Sequence, residues 1–495
     1  MVLGQIARRF STGFSRSRLA RGSLAATAAV LGLLAAEGDA SASGYLTARF
    51  GGDHGTPASP NTYAVYFNPA AMGGTKGTNV TVDLSIVLRQ ASYLRDTTAL
   101  SPQDPSGQAL QNGAYVQSNT GKGTLLNLLA LPYIGATSDL GTKSFRLGGA
   151  FYIPYGGMAV WDKKDETPGV PGSVNGPQRW HNISGTILAM HATLAASYTI
   201  EPLDLSIGAN VSGVYHTVST VRARNVDDSD KTVDATGRIA EGRSYLTANT
   251  LNMTASGGIY FEPRALHRKL KLGLSYTAPP GFGQTRMNGE LTQQLGTAAS
   301  AGGDTQKIDF LQSYPDIIRF GAAYRINEKW EVKGDFEYVR WSVFDRQCVV
   351  LEGRNCNIDA RTGGAPTTQD SSDIVLNLKR DWQDAIGARL GPSYFVNPDL
   401  EVFGSLGFTT PAVPKATIDA STIDSFRIYA ALGAKYDVSK SLAIAASYNH
   451  IFFMPVNNIG ESAYAKNVVP SRSPGADGKY NSQIGMLNVN ATLKF

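Results

Sequence analysis

Charge is scarce in this chain. Only 17% of its 495 residues are Asp, Glu, Lys or Arg, where soluble domains carry roughly 25%, so a surface facing water on every side is a poor match. Cysteine is scarcer still, with Cys348 and Cys356 alone. Two thiols are too few for a structural metal centre. In an oxidising compartment they close a small loop as a disulfide; the alternative is two free thiols. Beyond residue 42 no apolar run reaches 18 residues, which excludes helical membrane spans. No phosphate-cradling glycine loop and no cofactor motif is present. The six histidines show no spacing tied to an activated Ser or Cys, so a catalytic constellation is not visible.

What is abundant is glycine (53), with 22 Tyr and 19 Phe, a composition of turns and aromatic-decorated strands and hence of an all-β fold. The first 42 residues have a different character. Five arginines precede the apolar run from Leu24 to Ala36, and the small residues Ala40 to Ser43 follow it, the layout of a secretory signal peptide cut after Ala42. Arg8 and Arg9 hint at a twin-arginine signal but lie far from the apolar run. The leader carries five Arg against Glu37 and Asp39, a net +3, so only +2 of the total +5 belongs to the remainder. A phosphate-tracking surface needs clustered cations there, and nucleic-acid binding loses its support.

Strands announce themselves by alternation. From Gln483 to Phe495, Leu487, Val489, Ala491, Leu493 and Phe495 share one face and Asn488, Asn490, Thr492 and Lys494 the other. From Trp330, the apolar Trp330, Val332, Phe336 and Tyr338 alternate with Glu331, Lys333, Asp335 and Glu337. Fourteen such segments start near residues 78, 124, 143, 183, 202, 244, 269, 314, 329, 381, 399, 424, 440 and 481. Short connections near Asn327, Val396 and Ser439 contrast with long ones near 94–123, 155–182, 279–313, 345–380 and 454–480. An even strand number, about 9 to 11 residues per strand and loops sorted by length predict a transmembrane antiparallel β-barrel of about 14 strands. Closure leaves no edge unpaired in lipid. Trp330, Trp341, Tyr436, Phe452 and Phe495 near segment ends suit interfacial girdles.

Three stretches carry a family likeness. Tyr314 to Phe344 (YPDIIRFGAAYRINEKWEVKGDFEYVRWSVF), Asp381 to Pro414 and Arg427 to Phe453 resemble hairpins of FadL-like outer-membrane transporters of long-chain fatty acids and other hydrophobic compounds. The stretch NTYAVYFNPAAMGG, ending in Asn68, Pro69 and Ala70, resembles the family's N-terminal hatch element. After the signal peptide at 1–42, the resemblance implies a hatch at 43–77 plugging the lumen and a barrel at 78–495. It also implies passive, ATP-independent transport: an external apolar groove, a lumenal site touching the hatch and a sideways exit at a strand kink. It implies the cell outer membrane of a bacterium, a monomer with no cofactor, and as partners a hydrophobic ligand such as a long-chain fatty acid, outer-membrane lipid and lipopolysaccharide, and the barrel-assembly machinery.

A fatty acid asks for an apolar pocket with one or two cations. The strand register sends Arg89, Arg146, Arg319, Lys333, Arg389, Arg427 and Lys435 to the lumen, where Asp83, Glu331, Asp335, Glu337 and Glu401 balance some of them. Arg319 and Lys333, on adjacent strands, are the candidate ligand pair. Tyr45, Leu46 and Phe50 are candidates from the hatch side. For the external groove, the stretches 288–299 and 305–314 read as short helices offering Leu291, Leu295, Ile308, Phe310 and Leu311. Two other functions compete: a porin with a water-filled lumen, and a barrel hydrolase.

Overall fold

The computed structural model describes residues 49–101, 113–225, 228–233, 238–295, 303–358, 373–464 and 473–495; the expected signal peptide, Tyr45 and Leu46 lie outside them. Long strands lead: β1 (Thr78–Arg95), β2 (Gly121–Ser138), β3 (Phe145–Val160), β4 (Ser184–Ile200), β5 (Leu205–Arg224) and β6 (Gly242–Phe261). Shorter ones follow: β7 (Leu270–Thr277), β8 (Gln284–Gln294), β9 (Asp304–Ser313), β10 (Ile317–Arg325), β11 (Trp330–Val339), β12 (Arg346–Leu351), β13 (Ile374–Lys379) and β14 (Ala385–Phe395). The last are β15 (Leu400–Thr409), β16 (Arg427–Ser439), β17 (Leu442–Phe453), the two-residue β18 (Val456–Asn457) and β19 (Gly478–Lys494).

All belong to one antiparallel sheet, and β1 closes it by pairing with β19 from Asn79 opposite Lys494 to Arg95 opposite Gly478. The fourteen crossings emerge once broken strands are joined. β7 runs into β8, β9 into β10, β11 into β12 and β13 into β14. In this arc β7 pairs with β10 and β10 with β11, while the outer halves pair β8 with β9, β9 with β12 and β12 with β13. Pro279 and Pro280, then Pro315, sit at two of the breaks, where a missing N–H ends a ladder without loss.

The outer halves correct the sequence reading. Among the described residues of 279–313 and 345–380, β8, β9, β12 and β13 stand where open loops were expected, and residues 288–294 and 305–313 are strand rather than helix: β8 and β9 form a hairpin, with β8 laid on β6 from Arg243 to Asn249. The spacing of Leu291 and Leu295 imitates a helix face, but the outer half of β6 needs a ladder partner. Gly289 permits the approach, since a Cβ there would stand 1.9 Å from the Thr247 carbonyl oxygen. Trp341 is likewise not interfacial. It is buried at the break after β11, its ring 4.9 Å from Trp382.

The other face of the wall is greasy. Leu194, Leu251 and Leu432 are 72%, 72% and 68% exposed, which water would punish and lipid does not. Trp330, Tyr436, Phe452 and Phe495 share this outward face.

Inside, residues 49–77 pack against lumen-facing side chains from around the wall. Asn68, fully buried, donates to the Pro57 and Ile259 carbonyls while its Oδ1 accepts from Ala70 N–H. Pro69 then opens the 3-10 helix Pro69–Gly74, where its missing N–H costs nothing. Glycines on neighbouring strands make room: a Cβ at Gly208 would meet Ala70 N at 2.5 Å, one at Gly258 Asn68 Oδ1 at 2.3 Å and one at Gly273 Pro57 O at 2.0 Å. Wall side chains reach inward as well, Asn210 to Val65 O, Ser275 to Phe67 O and Tyr133 to Thr62 O. Two acids anchor the segment. Asp83 accepts from Tyr63 O–H and Gly51 N–H; Asp53 meets Arg389 at 3.1 Å and Ser405 at 2.8 Å.

Two outcomes test this packing. Leu432→Arg, near the middle of β16 on the lipid face, is expected to cost about 2–4 kcal/mol of folding free energy in phospholipid vesicles, measured by denaturant titration. Arg389→Ala strands Asp53 and Asp335, and should lower the guanidinium midpoint in detergent by an amount equivalent to about 3–5 kcal/mol; an unchanged midpoint would show that Arg389 does not anchor residues 49–77.

Candidate functional site

The lumen holds two cavities stacked along the barrel. The inner one, about 1010 Å³ including its open space, is walled by Tyr66 and Phe67 on one side and by Arg319, Glu337, Arg389 and Tyr429 from the strands. Its arginines are engaged. Arg319 donates to Glu337 Oε2 at 2.7 Å and to Tyr66 O–H oxygen at 2.9 Å, with its guanidinium 4.7 Å over the Tyr66 ring. Arg389 donates to Asp335 at 2.7 Å and to the Gly52 and Gly55 carbonyls. Lys333 does not line this cavity. It sits opposite Ala323 while Arg319 sits opposite Glu337, and it lies between Glu401 at 3.1 Å and Glu331 at 3.6 Å. Arg319 and Lys333 are therefore not brought together as a pair, because the register separates them by four residues.

The remaining lumen cations follow the same pattern. Arg427 donates to Asp424 and Lys435 lies 3.8 Å from Asp437. Arg146 feeds four backbone carbonyls, from Thr75, Thr142, Lys143 and Phe145. Arg89 reaches the Met158 carbonyl. Phe50 is fully buried among Tyr66, Tyr133 and Tyr152, where it packs residues 49–77 to the wall rather than facing a cavity. His54 meets Glu401 at 3.1 Å; burial pushes its ring below the ordinary histidine value, and Lys333 pushes the same way.

The outer cavity, about 820 Å³ including its mouth, has the composition an amphipathic ligand asks for. Ile187, Val218, Leu246, Leu291, Phe310 and Leu376 supply apolar surface, and Arg222, Arg224, Arg380 and His181 supply polarity. Of the groove candidates, Leu291 and Phe310 line it. Ile308 is in the buried core beside them, Leu311 packs against the Cys348–Cys356 disulfide, and Leu295 is half-buried beside Gly242. Arg380 donates to Asp419, Gln347 and Tyr464. Burial by itself would raise the Asp419 carboxyl, but Arg380 and His181 outweigh it and hold it at about 2. Burial brings His181 down to about 4, and its ring lies between Gly475 O and Ser473 Oγ. The sequence reading missed these cations. The run Arg222-Ala-Arg224-Asn225, which breaks strand alternation with four consecutive buried residues, was the available signal.

Between the two cavities the wall is interrupted. β2 pairs with β3 only from Tyr133 opposite Tyr152 to Ser138 opposite Leu147. Beyond Tyr152 the register of β3 on β4 shifts, and residues 152–159 are all buried, so the strand bends inward. The prolines at 132 and 154 explain the place, since neither can donate to the ladder the strands would otherwise share. At the outer end the strands rejoin through a side chain: Asn127 donates to Val160 O at 3.0 Å and accepts from Val160 N–H at 3.1 Å, and Asp162 N–H donates to Thr124 O. The window is lined by Leu129, Leu131 and Ile153 on the lumen side, with Leu126 and Leu128 exposed outside.

Known proteins share this architecture. A Pseudomonas aeruginosa FadL homologue matches with a TM-score of 0.68 at 16% identity, over 92% of this chain and 100% of its own. The Ralstonia pickettii toluene transporter TbuX matches at 0.56 and 13%, over 91% and 98%, and the P. putida toluene transporter TodX at 0.57 and 14%, over 92% and 99%. At such identities the likeness is one of fold. A protein of Neisseria meningitidis serogroup B, named as an outer membrane protein, is 22% identical over 187 residues, 37% of this chain and 36% of that protein, so the match spans about a third of its length. The family described as outer membrane protein transport protein (OMPP1/FadL/TodX) matches residues 23–495. Fourteen crossings and a match over nearly the whole length agree, and the chain belongs to the OMPP1/FadL/TodX family of outer-membrane transport proteins.

Proposed function

We propose that this protein carries hydrophobic compounds passively across the outer membrane, with long-chain fatty acids as the ligand class. Residues 1–42 serve as the signal peptide, 43–77 as the hatch and 78–495 as the barrel. The observation that carries the reading is the window between β2 and β3, a leucine-lined gap between the lumen and the lipid at the level of the two cavities. A ligand enters the outer cavity, passes inward and leaves sideways into the bilayer while residues 49–77 keep the axial path closed. The apolar lining with Arg222 and Arg224 suits a long tail with one carboxylate. An apolar pocket discriminates weakly between apolar ligands, so competition by toluene against a labelled fatty acid separates fatty acids from aromatic hydrocarbons.

Two measurements decide it. Labelled fatty acid should enter a deletion strain only when this protein is restored, and the purified protein should show low ion conductance in a planar bilayer; large steady conductance without uptake would make it a porin. Gly156→Phe probes the window. The atoms nearest a Cβ there are side-chain atoms of Leu188, Ile153 and Leu131 at 3.4–3.7 Å, so the added ring is aimed at the apolar lining of the gap. Uptake should fall about tenfold or more, the effect of roughly 1.4 kcal/mol on a rate, with ligand binding to the purified protein retained.

A further inference from the structure

The inference concerns two histidines between the cavities, and it rests on the transport reading above. His191 on β4 and His216 on β5 are 3% and 0% exposed. Ala189 lies opposite His216 and His191 opposite Val214, which makes the two imidazoles diagonal neighbours on the lumen face. Their surroundings are aromatic: Tyr152 stacks on His191 at 5.2 Å, Tyr155 lies 6.3 Å from it, and Tyr314 lies 4.7 Å from His216. Yet all four ring nitrogens lack a hydrogen-bond partner among the described residues. The contrast with His54 and His181, also in the interior and both partnered, is direct.

Their place in the barrel gives this meaning. Val218 and Ile187, which line the outer cavity, stand two residues from His216 and four from His191 on the same strand faces. On the other side, Tyr152 touches Tyr66 at 4.9 Å, and Tyr66 lines the inner cavity. Tyr152 is also the residue at which the β2–β3 ladder ends. The imidazoles thus stand on the partition between the cavities, beside the window. In either protonation state an imidazole presents at least one N–H donor. Leaving buried donors unsatisfied is costly, and a passing ligand with an oxygen acceptor relieves that cost where a hydrocarbon does not. Of the arginines that line the cavities, Arg319, Arg380 and Arg389 do not offer the same discrimination, because they already donate to protein carboxylates.

We propose that His191 and His216 are a hydrogen-bonding station for the polar end of the cargo, so that this protein selects apolar molecules bearing a carboxyl or hydroxyl group over plain hydrocarbons.

The test compares hexadecanoic acid, hexadecanol and hexadecane as radiolabelled probes of equal chain length, by uptake through the full protein in the rescued deletion strain. The parent protein should take up the acid and the alcohol about tenfold faster than hexadecane, the size of one hydrogen bond. H191F/H216F should erase that preference by slowing the oxygenated probes alone, and H191Q/H216Q, which keeps an amide donor at each place, should restore most of it. Heat-modifiable gel migration checks that each barrel folds. Equal rates for the three probes in the parent overturn the station while leaving transport intact, and this arm needs no variant to fold. Equal slowing of all three probes in the Phe variant assigns the histidines to packing and overturns the station; so does an unchanged preference. Uptake of none of the probes by the parent overturns the transport reading and the station with it.

Discussion

The constraint on which the rest depends is that a backbone group facing hydrocarbon must find its partner within the protein. The closed ladder from β1 to β19 satisfies it nearly everywhere, and the window is intelligible as the place where it is satisfied by other means. Proline at 132 and 154 removes two donors that would have needed acceptors. The carbonyls of Met158, Ala159 and Val160 receive side-chain donors from Arg89, Asn182 and Asn127 in turn. Arg89 comes from β1, Asn182 from the segment before β4 and Asn127 from β2, so the bent end of β3 is held by three neighbours that are not its ladder. A gap in a membrane wall therefore costs little when side chains replace the strand that left.

The same accounting explains the interior. Residues 49–77 are short in regular structure, and their carbonyls at Gly52, Gly55, Pro57, Thr62, Val65 and Phe67 are met by Arg389, Asn68, Tyr133, Asn210 and Ser275. The wall is polar where these residues touch it because irregular backbone inside a barrel has to borrow donors. It follows that a lumenal arginine is poor evidence for a ligand site. Arg319 and Arg389 look like carboxylate binders in the sequence, yet each spends its fork on protein carboxylates, and removing such a partner costs more than the pair itself contributes.

Much of the fold was legible because a lipid-facing strand obeys a two-residue period: the face of Leu487, Val489 and Leu493 is the outward one, and all fourteen segment starts fall within a few residues of a strand start. In the broken arc from β7 to β14 the inner halves β7, β10, β11 and β14 were legible, and the outer halves β8, β9, β12 and β13 were not. Its breaks carry the residues that also make loops, such as Ala278-Pro279-Pro280-Gly281, and nothing local distinguishes a strand that pauses from one that ends. Trp341 shows the limit for single residues, since an aromatic at a segment end suits an interfacial girdle and an inward corner equally well. The outer cavity depends on strands distant in sequence, among them β4, β6, β8, β9 and β13, meeting across the lumen, and the histidine pair, though on the single hairpin of β4 and β5, takes its meaning from the cavities beside it. Only Arg222 and Arg224, crowded at the end of one strand, left a local trace.

On the proposed route the exit is sideways, and these features supply a physical reason for it. A long-chain molecule leaving along the barrel axis would have to pass residues 49–77 and then enter periplasmic water, surrendering about 25 cal/mol for each Å² of apolar surface it exposes. Through the window its tail moves from Leu129, Leu131 and Ile153 to acyl chains, an exchange of one apolar surrounding for another. Transport then needs only a concentration difference, provided that no stop along the way binds too tightly. Arginines already neutralised by partners, and imidazoles that offer single hydrogen bonds rather than full charges, hold a polar headgroup weakly enough to let it go.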